Sequence, residues 1–106
     1  MKSSDKGRVY EDWLAEAYGK RQPGSGSNWT TKEDLLGEGP FSDFMLQAKN
    51  ASGQKSYTLK LEDLQILRKH ASTLGRTGIM FINFGENKEF VVMRRKDFDH
   101  LLGDMS

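Results

Sequence analysis

No cysteine occurs among the 106 residues, which excludes disulfides, thiolate metal centres and cysteine nucleophiles. Any metal must then be held by oxygen or imidazole ligands. Small secreted domains usually depend on disulfides, so the same absence points to a cytoplasmic chain. Long apolar runs are also lacking: nothing approaches the roughly 18 consecutive apolar residues of a membrane span. The N-terminal "MKSSDKGRVYEDW" has no apolar centre of the kind that marks a secretory signal. A cytoplasmic protein with no membrane segment is expected. An excess of one charge is missing too. Sixteen basic residues against fifteen acidic give +1, so a nucleic-acid partner would have to be met by a local basic stripe. Lys20-Arg21, Lys49, Lys55, Lys60 and Arg94-Arg95-Lys96 are interspersed with acids and permit such a stripe.

The length suits one domain with a real core and is too short for two. Apolar residues are 36% and aromatics 10% of the chain, which together with patterned segments argues against general disorder. From Gly7 to Tyr18, Val9, Trp13, Leu14, Ala17 and Tyr18 recur every three to four positions, the spacing of an amphipathic helix that Gly19 ends. Trp13 is expected in the core on this spacing. "KRQPGSGSNWTTKED" (20–34) reads as an exposed loop, with Trp29 anchoring it to the core. Asp34-Leu35-Leu36 and Phe41 to Lys49, separated by "GEGP", read as an antiparallel hairpin, and "YTL" (57–59) as a short extended piece.

Leu61, Leu64, Leu67, Ala71 and Leu74 form one apolar stripe with Ile66 at its flank, predicting a helix over 61–74 stopped by Gly75. "GIMFINF" (78–84) and "EFVVM" (89–93) are β-rich runs around the turn-like "GENK", and "KDFDHLL" closes the chain as a short helix. The predicted order is α-β-β-α-β-β-α. A mixed β-sheet flanked by helices would bury all of these faces together, giving an α/β fold.

Four residues make a chemically coherent set: Glu11 in the first helix, Asp34 at the start of a strand, and Gln47 and Lys49 on the next. Hydrolysis of a phosphodiester at neutral pH needs the phosphate neutralised, a water activated and the leaving oxygen stabilised, work that Mg²⁺ held by carboxylates can do. Magnesium takes oxygen ligands and keeps several waters, so two or three protein oxygens suffice. Asp34 is the central candidate ligand, Gln47 offers a neutral carbonyl oxygen, and Glu11 completes the site directly or through water. Lys49, two residues beyond Gln47 and so on the same strand face, is placed to orient or help deprotonate a water.

Read together, the helical glutamate in "GRVYEDWLAEAYG", the loop "GSGS" (24–27), "KED" ending in Asp34, and "LQAK" (46–49), followed by a helix and a β-hairpin, resemble the PD-(D/E)XK nuclease superfamily. Within it the chain is similar to small archaeal and phage Holliday junction resolvases and related phage endonucleases. The resemblance implies a restriction-endonuclease-like fold, cleavage of DNA with Mg²⁺ or Mn²⁺, a branched or four-way junction as substrate, a homodimer that places two nicks, and a phage or prophage origin. Two departures stand out. Gln47 occupies the place where the family usually has glutamate, and no proline accompanies Asp34.

Around this set, Gly24 and Gly26 let backbone amides approach a phosphate, and Ser25 and Ser27 add hydroxyl donors. Lys20, Arg21, Lys32 and Arg8 are the expected DNA-backbone contacts, which position a duplex without reading its sequence. His70 and His100 are thirty positions apart and lack the spacing of a zinc helix, so both are read as structural or exposed. "GSGSNW" has no terminal Gly-Lys-Ser/Thr and does not support nucleotide hydrolysis. Two other classes fit the chain. One is a non-catalytic DNA-binding module in which Gln47 marks a decayed site, and the other is a protein-interaction or inhibitor domain.

Overall fold

A computed structural model describes residues 3–21 and 34–105 of the chain. Helix α1 (Ser3–Tyr18) runs directly into strand β1 (Gly19–Arg21). Strand β2 (Asp34–Gly37), a 3₁₀ turn (Gly39–Phe41) and strand β3 (Phe44–Asn50) follow. Then come helix α2 (Leu61–Thr73), strands β4 (Thr77–Asn83) and β5 (Glu89–Val92), and helix α3 (Arg95–Met105). The five strands lie side by side in chain order. Among the described strands only β3 and β4 are parallel, and α2 makes the crossover between them; the other neighbours are antiparallel. The molecule is an α/β structure with a mixed sheet flanked by helices.

The alternation of side chains along β3 and β4 divides the core in two. Leu46, Ala48, Ile79 and Phe81 face Tyr10 and Leu14 of α1, with Leu35 from β2 in the same cluster. On the other side Met45, Met80 and Ile82 face Leu67 and Ala71 of α2. Both central strands are buried on both faces, which explains why "FMLQAK" and "GIMFIN" read as nearly continuous apolar runs. Met45 and Met80 are fully buried. Each such side chain contributes about 1.5–3 kcal/mol by leaving water.

Three expectations from the sequence are corrected. Trp13 is 61% exposed and is no core residue. The stripe that meets the sheet is Tyr10, Leu14 and the partly buried Ala15 and Tyr18, one arc round from the Val9–Trp13–Ala17 line. Lys20 and Arg21 belong to a strand paired with β2, not to the loop expected over 20–34. The stripe of α2 is narrower than its leucines suggested: Leu67 and Ala71 are buried, whereas Leu61 is 69% exposed because it opens the helix beyond the sheet. Gly75 does end α2, as its spacing predicts, with φ of 68° just after the last turn. Trp29 lies outside the described residues.

Tyr10 is 2% exposed, and its hydroxyl makes no hydrogen bond of acceptable geometry. Burial first, and then the neighbouring Glu89 carboxylate, hold its pKa far above the usual phenol value. A pKa raised in the folded state stabilises fully below the unfolded phenol's value and is lost as the pH climbs past it. Urea unfolding of the parent should therefore show stability falling above about pH 10. In Tyr10→Phe that alkaline decline should flatten, and stability at pH 7 should be equal or up to about 1 kcal/mol higher, since an unsatisfied buried hydroxyl is removed.

Candidate active site

The β2–β3 ladder pairs Asp34 with Gln47, Leu35 with Leu46 and Leu36 with Met45. Position 34 thus stands directly across from position 47, although they are thirteen positions apart in the chain. This register is fixed from the far end of the hairpin. There Arg76 donates from one guanidinium nitrogen to the carbonyls of Gly37 at 2.9 Å and Phe44 at 3.0 Å, tying the end of β2 to the start of β3. Gln47 is 5% exposed and pairs with Met80 on its other side. Lys49 is half-buried and pairs with Ile82.

Parity puts Gln47 and Lys49 on the face of the sheet that carries Met45, the face covered by α2. Lys49 lies two positions beyond Gln47, next to the carboxyl end of β3 at Asn50. The amide oxygen Oε1 of Gln47 accepts no hydrogen bond, while Gln47, Lys49 and Glu11 are each engaged by neighbours. Glu11 stands in α1, which packs on the opposite face of the sheet. Packing therefore brings the three strand positions together and leaves Glu11 on a separate layer.

Of the expected DNA contacts, Arg8 lies in α1, and Lys20 and Arg21 lie in β1 at the edge of the sheet next to β2. Ser25, Ser27 and Lys32 fall outside the described residues. His70 is in α2 and half-buried, and His100 is in α3 and exposed. Among the described residues no group of three or more His, Cys, Asp or Glu is arranged to hold a metal ion.

The sequence reading passed over a clasp one residue beyond Lys49. Asn83 donates from Nδ2 to Asn50 Oδ1 at 3.1 Å, and Ser52 N donates to the same oxygen at 3.3 Å. Gly85 N donates to Asn83 Oδ1 at 2.9 Å, and Ala51 N donates to the Asn83 carbonyl at 2.7 Å. These bonds close the carboxyl ends of the parallel strands. The signal was present as an asparagine ending each β-run just before turn residues, "KNASG" and "INFGE". Asn83→Ala leaves the Gly85 amide without its partner and the Asn50 side-chain oxygen with Ser52 N alone. It should cost about 1–3 kcal/mol in chemical denaturation, and a cost below a few tenths would show the clasp to be dispensable.

Comparisons with protein-family models, with characterised proteins and with solved structures give no match to this chain.

Proposed function

We propose that this chain is a metal-dependent DNA endonuclease of restriction-endonuclease-like type, selective for branched DNA such as a four-way junction. The observation that carries the reading is the register that sets Asp34 opposite Gln47, with Lys49 two residues further along the same strand. The donor set suits a hard divalent cation: a carboxylate and an amide oxygen, with water completing the shell. Asp34 and Gln47 would hold Mg²⁺ or Mn²⁺ there, while Glu11, in the helix on the opposite face of the sheet, would stand outside the ligand set. The ion, when bound, acidifies a coordinated water and offsets charge on the phosphate.

The other tasks belong to the chain's own groups. The ammonium of the half-buried Lys49 orients the attacking water and counters charge that develops on the phosphoryl oxygens. Arg8, Lys20, Arg21 and Lys32, with Ser25 and Ser27, would bind backbone phosphates, so affinity would track DNA shape and fall with salt. Paired nicks need two copies related by a two-fold axis. The surface offered for that contact is at the other edge of the sheet, where Phe90 and Val91 of β5 and Phe98 and Leu102 of α3 are about half exposed.

The test is a gel assay with four-way junction, duplex and single-stranded DNA, each with and without Mg²⁺. Metal-dependent cutting of the junction is expected. Salt-sensitive binding without cutting would instead make this a non-catalytic DNA-binding module, a reading favoured by the neutral amide at position 47. No binding to any DNA would leave the protein-interaction class.

A further inference from the structure

On the α1 side of the sheet, a cleft of about 700 Å³ opens beyond the ends of β3 and β4. Its position is informative, because ligands of open α/β sheets settle in the crevice outside the carboxyl ends of parallel strands. The volume also falls in the range of small-molecule pockets. None of the residues assigned above to cleavage or DNA contact lines it.

Three observations define what the cleft would take. First, Trp13 lines it with 61% of its surface in water, a large exposed aromatic on a helix whose adjacent residues Tyr10 and Leu14 are buried. Second, Tyr10 lines it while 2% exposed, its hydroxyl lying beside the Glu89 carboxylate without a hydrogen bond of acceptable geometry. Third, the charged groups in the lining are both carboxylates, Glu86 and Glu89, and among the described residues neither has an ion-pair partner. Lys88 lies between them in the chain but is not part of the wall. The β4–β5 turn that carries Glu86 is shaped by Gly85 and Asn87 at φ of 143° and 59° and closed by Lys88 N donating to the Gly85 carbonyl at 3.0 Å.

Two unneutralised carboxylates in a partly enclosed cleft concentrate negative potential. The face of an indole attracts the same charge sign that they do. We propose that this cleft is a binding site for an organic cation, an alkylguanidinium or alkylammonium group, held with its charge against the Trp13 ring and its N–H donors on Glu86 and Glu89. This assignment stands apart from the endonuclease reading, since it uses neither the strand trio nor DNA.

Isothermal titration of the full chain at low ionic strength tests it, with agmatine, spermidine and the neutral butylurea as probes. Saturable 1:1 binding of agmatine or spermidine is expected, and none of butylurea; the tighter of the two cations identifies the head group as guanidinium or polyamine. Glu89→Gln and Trp13→Ala should each weaken that binding at least threefold, and both positions are exposed enough for the fold to survive, which circular dichroism checks. Glu89→Gln alone decides the matter should Trp13→Ala fail to fold. The proposal is overturned if neither cation binds saturably, if butylurea binds as well as they do, or if Glu89→Gln binds within threefold of the parent.

Discussion

Lys49→Ala should lower metal-dependent cleavage of a four-way junction by about 10²–10⁴-fold, the usual yield of a positioned proton-transfer or charge-stabilising group. Asp34→Ala should do the same or more, because it removes the one formal negative charge that the strand trio offers a cation. Junction affinity measured in EDTA should stay within about threefold of the parent for Lys49→Ala. One ammonium among several basic residues contributes only a fraction of the electrostatic binding term. Far-ultraviolet circular dichroism should be unchanged, since Lys49 is half-buried near the end of β3 and is not one of the buried apolar residues of either cluster. Should Asp34→Ala cut as fast as the parent, the site is elsewhere.

Gln47→Glu sharpens the same argument. In a position 5% exposed, a new carboxylate opposite Asp34 brings like charges together, which raises the pKa of one of them and costs stability when no cation is present. The variant should therefore melt below the parent in EDTA and recover with Mg²⁺ more than the parent does. A variant whose melting temperature ignores Mg²⁺ would show that positions 34 and 47 do not share an ion.

How much of this was legible beforehand follows from what kind of information each feature uses. The strands at 44–50 and 77–83 announced themselves because strands buried on both faces need continuous apolar residues. The second helix announced itself through the spacing of Leu64, Leu67 and Ala71. β1 was missed because "GKR" has no apolar alternation: among the described residues it is an edge strand three residues long whose ladder is to β2. Trp13 was misplaced because periodicity gives the width of an apolar arc but not which arc meets the sheet, and Tyr10 supplied the better one. The order of Asp34, Gln47 and Lys49 could be read, whereas their register could not. That register depends on a turn between β2 and β3 and on an arginine 29 positions beyond Gln47 that bonds two hairpin carbonyls. The separation of Glu11 from the strand trio was equally invisible, since it depends on which face α1 covers.

The turn suggests a damaging small substitution. In Gly37→Ala the added Cβ would lie 1.9 Å from the carbonyl oxygen of Phe41 and 2.7 Å from its carbonyl carbon. Both are backbone atoms of the 3₁₀ turn, so no flexible side chain can swing aside. Relief requires the turn to move away from β2, and that movement strains the bond from Arg76 to the Gly37 carbonyl at 2.9 Å. Overpacking costs about 1–3 kcal/mol and occasionally more, and a clash with rigid backbone belongs at the upper end. At about 3 kcal/mol or more, the melting temperature of a domain this size should fall by about 12 °C or more. A loss that large is a sizeable part of the roughly 5–15 kcal/mol that holds such a domain folded. Cleavage should fail at a lower temperature than in the parent, because the same turn sets the ladder that brings position 34 opposite position 47. A shift under about 2 °C in a thermal melt would mean that the turn yields freely, and that the register is secured by the strand contacts of Leu35 and Leu36 alone.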